Sequence, residues 1–598
     1  MRTRPFIIIC ILTAVLTAAA AATAAAPDPV FWTFDRPQGR ADEHGHIIQM
    51  VVVPTLKPTQ GYVPVNPLEA AASAVKRIRK RGLRSSEICI LMLWLGMGDG
   101  VPGNKLQRGT ALFRHWCDGL PRPPWNRACV QGEPVPIDSW WATPWMSSGV
   151  RQTRQYVADF IAEYQYNQDR RNTGDPVPDP ARFHFDTERR IFAISDGSMR
   201  AFQHLVHDAR WESEELFGYE GAVTMADLWR AAEENGVRLP DLTEGKNWAH
   251  HANHDWVNWY ECICLTVADG AMKAACYDPI HRAWPTARCS NYGTSLRIKP
   301  PYIHRAELGW SAAGWWNVRW QGAGDLQAVV LYPPESAHQR RGETFWQATM
   351  RLHRQNVDAL IKSLDGGRDP GEITPWLYNI GEVKNTKRLG PDRWATHRVS
   401  KADMRQMLAM LRGRHIREFI IWNDKGPTER DWDDLADVID QVWLYDPVEH
   451  AVVLGTMESP QPVDRLKYAL DGPLSVTAEE RGARHMAAID VDFELRPPGR
   501  VPLLETLNIT VEADLSTSSA AETVELAISL LNRRDRKYER VYTGTLSAGD
   551  PSIHEAAVTS GGSYVKPETG SVQVRIACTA GAAFTAQIDL VQLVEADD

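Results

Sequence analysis

The chain has 598 residues, of which 24% are charged, and 75 Asp and Glu against 66 Lys and Arg give it a formal net charge of −9. That length exceeds one ordinary domain, and the acidic balance excludes a polybasic surface for duplex nucleic acid or anionic membranes. The absence of paired Cys-x-x-Cys knuckles excludes a cysteine-rich zinc module, and the lack of a Gly-x-Ser-x-Gly elbow gives no support for a serine hydrolase.

The N-terminus places Arg2 and Arg4 before an apolar run from Phe6 to about Leu16, then an Ala-rich stretch ending Ala24-Ala25-Ala26 before Pro27. This order of charged, apolar and small residues predicts a secretory signal peptide over residues 1–26 and a secreted or periplasmic protein. No later segment is long and apolar enough to predict a membrane span. The mature part would carry eight cysteines: Cys89, Cys117, Cys129, Cys262, Cys264, Cys276, Cys289 and Cys578. Cys117 and Cys129 flank a Pro-rich loop that a disulfide would restrain, and export permits such a bridge.

From there to Pro447, apolar strand-like runs alternate with amphipathic helices. Ile47–Leu56 reads as the first buried strand, Pro67–Lys80 as a helix, Glu87–Leu95 as a second strand and Val150–Asp169 as a second helix. Phe183–Glu188, Ala287–Tyr292, Leu326–Tyr332, Thr374–Ile380 and Arg417–Trp422 are further strands. Helices are predicted at Thr344–Leu364, Lys401–Arg412 and Glu429–Trp443. Near-continuous apolar strands between helices mark a parallel sheet covered by helices. Seven or eight units over residues 27–446 fit a (β/α)8 barrel, with a helical insertion over about 191–285. No glycine-rich fingerprint follows the first strand, which argues against a dinucleotide fold. After Pro447 the period becomes two, as in Leu507-Ile509-Val511 and Val572-Val574-Ile576, and residues 447–598 are predicted to form an antiparallel β-sandwich.

The segment Phe183-His184-Phe185-Asp186-Thr187-Glu188 is the most informative. Alternation along a strand puts both Phe on one face and His184, Asp186 and Glu188 on the other. Two carboxylates so placed can keep one acid protonated beside one ionised, which glycosidic bond cleavage needs. In a barrel the C-terminal strand ends face the active site. Asn291 and Tyr292, Tyr378 and Asn379, and Trp422, Asn423 and Asp424 occupy predicted strand ends. Glu382 and Asp424 are the candidates for a second carboxylate across the pocket, and Asp99 is a weaker third. Twenty-three tryptophans, several in loops or at strand ends, lean toward sugar binding, because flat aromatic faces hold the apolar faces of sugar rings. His250, His251 and His254 with Asp255 form a rival, metal-type constellation, for which a solvated or capping role is the simpler reading.

His184-Phe185-Asp186-Thr187-Glu188 resembles the strand-four acid motif of barrel glycoside hydrolases in the chitinase, hexosaminidase and hyaluronidase group, with His184 standing where that group has an Asp. The resemblance implies that Glu188 is the general acid and that Asp186 holds a 2-acetamido group of the substrate. His184, Asn291, Tyr292, Trp376, Tyr378, Trp422 and Asn423 would bind the sugar. No cofactor or metal is expected, carbohydrate is the expected partner, and no nucleic-acid partner is expected. A non-catalytic glycan-binding barrel and a metal-dependent polysaccharide deacetylase are the alternatives. The C-terminal sandwich resembles carbohydrate-binding modules appended to secreted glycosidases. Its aromatic platform would draw on Tyr538, Tyr542, Tyr564 or Phe584, and a bracing role is the competing expectation.

Overall fold

A computed structural model describes residues 29–54, 56–57, 63–64, 66–93, 129–130, 133–134, 147–169, 176–186, 272–291, 324–326, 328–332, 344–363, 369–383, 397–423, 426–440, 444–494, 506–548, 552–566 and 569–596. The signal segment, the Cys117 end of the expected disulfide, most of the expected insertion and the His250–Asp255 cluster lie outside the described residues.

The first half is built from parallel strands: β1 (Val30–Thr33), β2 (Ile47–Gln49), β3 (Val51–Pro54), β4 (Cys89–Leu93), β5 (Arg182–Asp186), β6 (Arg288–Asn291), β7 (Val330–Leu331) and β8 (Trp376–Tyr378). An antiparallel hairpin, β9 (Gly381–Val383) with β10 (His397–Val399), precedes the parallel strand β11 (Glu418–Trp422). One sheet runs β7-β8-β11-β1-β2 and the other β6-β5-β4-β3. Met50 alone separates β2 from β3, and its N–H donates to Thr33 O at 2.7 Å. At the other edge the Leu326 N–H, just ahead of β7, donates to Cys289 O of β6 at 3.1 Å. The strand pattern in the sequence starts the sheet at Ile47; the structure adds β1, paired in parallel with both β2 and β11.

Side chains sort by strand alternation. Trp32, Met50, Cys89, Leu91, Ala328, Trp376 and Ile420, drawn from both sheets, form one shared apolar interior. Arg182 of β5 reaches Glu418 of β11 at 2.5 Å, with its guanidinium 5.2 Å from the Trp32 ring. The opposite faces pack on helices. Val51, Val53, Ile90, Phe183 and Phe185 join a core with α1 (Pro67–Arg81) and α2 (Ser147–Asp169). The short helix α3 (Asp278–Ala283) adds Ile280 to that core. Phe31, Leu377, Phe419 and Ile421 join a second core with α4 (Phe345–Ser363), α5 (Lys401–Arg412) and α6 (Glu429–Asp440).

Local chemistry sets the helix ends. Asn66 accepts the Leu68 N–H ahead of Pro67, and α1 stops at Gly82 in the left-handed conformation (φ 61°). Ser400 and Asp403 form a reciprocal capping box for α5.

The second half is a β-sandwich. Strands β12 (Leu444–Tyr445), β13 (Pro447–Leu454), β14 (Leu474–Thr477), β15 (Glu479–Arg481), β16 (Arg484–Phe493), β17 (Thr506–Leu515) and β18 (Thr523–Asn532) are followed by β19 (Lys537–Ser547), β20 (Ser552–Thr559), β21 (Val572–Ala580) and β22 (Thr585–Glu595). They form a five-stranded sheet, β12-β22-β17-β20 with β14 on β22, and a six-stranded one, β13-β16-β21-β18-β19 with β15 on β16. The inner faces alternate Ile489, Val491 and Phe493 or Val572, Val574 and Ile576 into one apolar layer.

The outer face of the five-stranded sheet packs on α4 and α5. Gln592 Nε2 donates to Ala409 O at 2.7 Å, and Arg414 pairs with Glu512 at 3.0 Å and with Asp358 at 2.5 Å. These bonds join the sandwich to the helices that cover the first-half sheet.

Candidate active site

The C-terminal ends of β7, β8, β11 and β1 lie side by side, so the residues that follow them cluster. Tyr332 follows β7, Tyr378 ends β8, Trp422 ends β11 and Phe34 follows β1. Their rings meet: Tyr332–Tyr378 centroids are 4.4 Å apart, Tyr332–Trp422 5.4 Å, Tyr378–Trp422 5.5 Å and Phe34–Trp422 6.3 Å. Tyr378 is buried, while Phe34, Tyr332 and Trp422 keep partial exposure. A partly open cluster of offset rings is a surface on which a sugar face can stack.

Asp35 lies beside this cluster. Its N–H donates to Thr33 Oγ1 at 3.1 Å, which folds the chain back at the end of β1. Burial raises the Asp35 carboxyl to about 6, partly offset by a hydrogen bond from the Asn423 backbone N–H. Its Oδ2 is buried with no hydrogen-bond partner among the described residues. A carboxyl near 6 at a strand end, next to an aromatic floor, has the property a general acid needs.

The polar residues beside it are fixed by backbone geometry. The Asn379 N–H donates to Trp422 O at 2.9 Å, and Asn379 Oδ1 accepts the Ile380 N–H at 2.8 Å. Asn379 Nδ2 is buried without a partner among the described residues. Gly381 has φ 129° and lies so close to Asn423 and Asp431 that a β-carbon there would come within 3.2 Å of Asn423 Nδ2. Glycine is required at this turn, and it lets the chain leave β8 tight against the end of β11.

The residues singled out from sequence distribute as follows. Tyr378, Trp422 and Asn423 belong to this cluster. Trp376 is buried two residues below Tyr378, in the shared interior. His184 is fully buried: its Nδ1 is hydrogen-bonded to Ser290 Oγ, its Nε2 has no partner among the described residues, and burial with the nearby Arg182 lowers its pKa to about 3. Asp186 is the last residue of β5, in register with Leu93, and Asn291 is in register with Phe185. Glu382 is exposed on the β9–β10 hairpin, in register with Arg398. Glu188, Tyr292, Asp424 and Asp99 lie outside the described residues.

Asp35 is the carboxyl that sequence reasoning missed. The available signal was the run Val30-Phe31-Trp32-Thr33-Phe34, β-branched and aromatic, which places Asp35 at a strand end.

In the sandwich, Tyr564 and Phe584 are buried in the inner layer, and Tyr542 packs against it with its hydroxyl 3.2 Å from His554 Nδ1. Tyr538 lies on the outer side of the six-stranded sheet. Its hydroxyl donates to Asp490 at 2.7 Å, and the Arg575 guanidinium lies 3.7 Å from its ring centroid.

No family model and no curated protein matches the chain. Among solved structures it is similar to the carbohydrate-binding module TmCBM61 in complex with β-1,4-galactotriose, with 14% identity, 25% of this chain and 86% of that one covered, and a TM-score of 0.15. It is also similar to xylanase 10C from Cellvibrio japonicus in complex with xylopentaose, with 14% identity, 26% and 27% covered, and a TM-score of 0.17. An arabinose-bound α-L-arabinofuranosidase gives 13% identity, 25% and 23% covered, and a TM-score of 0.18.

Proposed function

We propose that the chain is an exported glycoside hydrolase acting on a poly- or oligosaccharide, with its active site at the C-terminal strand ends of a (β/α)8 barrel over residues 27–446. Three features support the barrel. The parallel strands number eight when β2 and β3 count as one, the Met50 and Leu326 hydrogen bonds link the two sheets at both edges, and Arg182 meets Glu418 across a shared interior. The observation that carries the functional reading is Asp35: a strand-end carboxyl raised to about 6 beside Phe34, Tyr332, Tyr378 and Trp422. In this reading Glu188 and Asp186 keep the roles expected from the sequence, and Asp35 adds a further carboxyl at the end of β1 beside the aromatic cluster that would hold the sugar. Two carboxyls with separated pKa values would then divide the acid and base work.

The test is turnover on a panel of aryl glycosides and polysaccharides by the parent protein, Asp35→Asn and Glu188→Gln. Each variant is expected to lose roughly 10²- to 10⁴-fold in kcat/KM while still being retarded on a glycan affinity gel. Full turnover by Asp35→Asn would remove Asp35 from the mechanism. A parent protein that binds glycan and turns over nothing would favour the glycan-binding barrel.

A further inference from the structure

A second cluster lies away from the strand ends, on the helix-packed side of β6. His281 comes from α3, Cys289 is the second residue of β6, and Asp325 sits in the short segment that leads to β7. The His281 ring nitrogen, the Cys289 sulfur and an Asp325 carboxylate oxygen all lie within 4.8 Å of one another. Ligand atoms about 2.0–2.3 Å from one tetrahedral ion fall within that spread. We propose that His281, Cys289 and Asp325 form a structural zinc site that clamps the segment entering β7 onto β6 and α3.

The donor set suits that ion. A thiolate and an imidazole favour zinc over magnesium or calcium, and a carboxylate completes a common mixed set. The three segments are already held in place. His281 Nε2 is 2.8 Å from Asp325 Oδ2, and the Cys289 N–H donates to the same oxygen at 2.7 Å. Gly324 presses on Cys289 O so closely that a β-carbon there would come within 3.0 Å. His281 and Asp325 keep about a third of their side-chain surface exposed while Cys289 is fully buried, so an ion would reach the sulfur past His281 and Asp325.

Zinc binding would put the cation in place of the proton that His281 Nε2 holds against Asp325, and would release that proton and the Cys289 thiol proton to solvent while the other ring nitrogen keeps its hydrogen on the Ala287 carbonyl. The fourth position falls to water, the three close ligand atoms being those of His281, Cys289 and Asp325. Cys276 sits on a π-helical turn (Lys273–Tyr277) in the same core as Cys289.

The full chain, purified without chelator or polyhistidine tag, is incubated with zinc chloride, desalted and assayed for metal. The expected result is about one zinc per chain, falling to background in Cys289→Ser and Asp325→Asn. Cobalt in place of zinc should give the parent protein a thiolate-to-cobalt charge-transfer band that Cys289→Ser lacks, a readout that does not depend on how well the other variants fold. Parent protein that retains no more zinc than Cys289→Ser, or that shows no such band, overturns the proposal. So does a peptide map in which Cys276 and Cys289 are joined by a disulfide.

Discussion

Asp35 at the strand ends and Glu512 beneath the sandwich are both carboxylates withdrawn from water, and the two regions treat them in opposite ways. Burial is the largest influence on each and pushes both toward the neutral form. At Glu512 the guanidinium groups of Arg414 (3.0 Å) and Arg354 (3.4 Å) outweigh burial and hold the carboxyl below its ordinary value. Asp35 has a single backbone N–H in place of a cation and rises to about 6. The first arrangement fixes a charge and joins two parts of the chain; the second leaves a proton free to move. A carboxylate matched by cations is architecture, and one left unmatched near an aromatic surface is available for chemistry.

The comparison breaks first at Arg414. Arg414→Ala leaves Glu512 buried without its main partner and is expected to cost about 3–5 kcal/mol, read from urea denaturation, whereas joint replacement of Arg414 and Glu512 by apolar residues should recover much of it. A loss below about 1 kcal/mol would mean that the pair does not hold the sandwich in place.

Next come the buried histidines. His184 and His353 both have folded-state pKa values lowered to about 3 by burial, from 6.5. A depressed base contributes stability above its unfolded pKa and loses it as pH falls, so unfolding free energy should drop between pH 6.5 and 3, at up to about 1.4 kcal/mol per pH unit per group. Denaturation at pH 7 and pH 4.5 measures this, and equal values would contradict it.

Asp35 should show the opposite sign and a smaller effect. Its folded pKa lies above its unfolded value of 3.8, so its contribution is present at low pH and lost as pH rises through about 6. Asp35→Asn is therefore expected to stabilise the protein at pH 8 by on the order of 1–2 kcal/mol, after allowing for the partial exposure of the group. The gain should vanish near pH 4. Destabilisation at pH 8 would mean that the carboxylate has a cationic partner.

Much of the architecture was legible because periodicity reports burial. The helix Lys401–Arg412 has the bounds its capping residues predict, and the alternations at Leu507, Val524 and Val572 are strands β17, β18 and β21. Strand β1 is not legible because a four-residue strand directly after Pro29 carries too few repeats to register as periodic. Without β1 the sequence does not mark Asp35 as a strand-end residue, and the remaining strand ends offer Glu382 and Asp424 as the second carboxylate. Glu382 shows why strand ends alone do not choose a catalytic group. The chain turns at Gly381 into a hairpin that carries Glu382 to the exposed surface, a consequence of the glycine's positive φ that hydropathy does not encode. Residual hydrogen-bonding capacity at Asp35 and Asn379 depends on neighbours hundreds of residues away or on the facing strand, and no local pattern records it.

The most direct measurement is the pH dependence of kcat/KM on the best glycoside substrate, for the parent protein and Asp35→Asn. With Asp35 as the protonated acid, the parent should lose activity as pH rises through an apparent pKa near 6, and that limb should be missing from the residual activity of Asp35→Asn. A limb that stays in place in Asp35→Asn, at undiminished rate, would contradict the assignment of Asp35 to the chemistry.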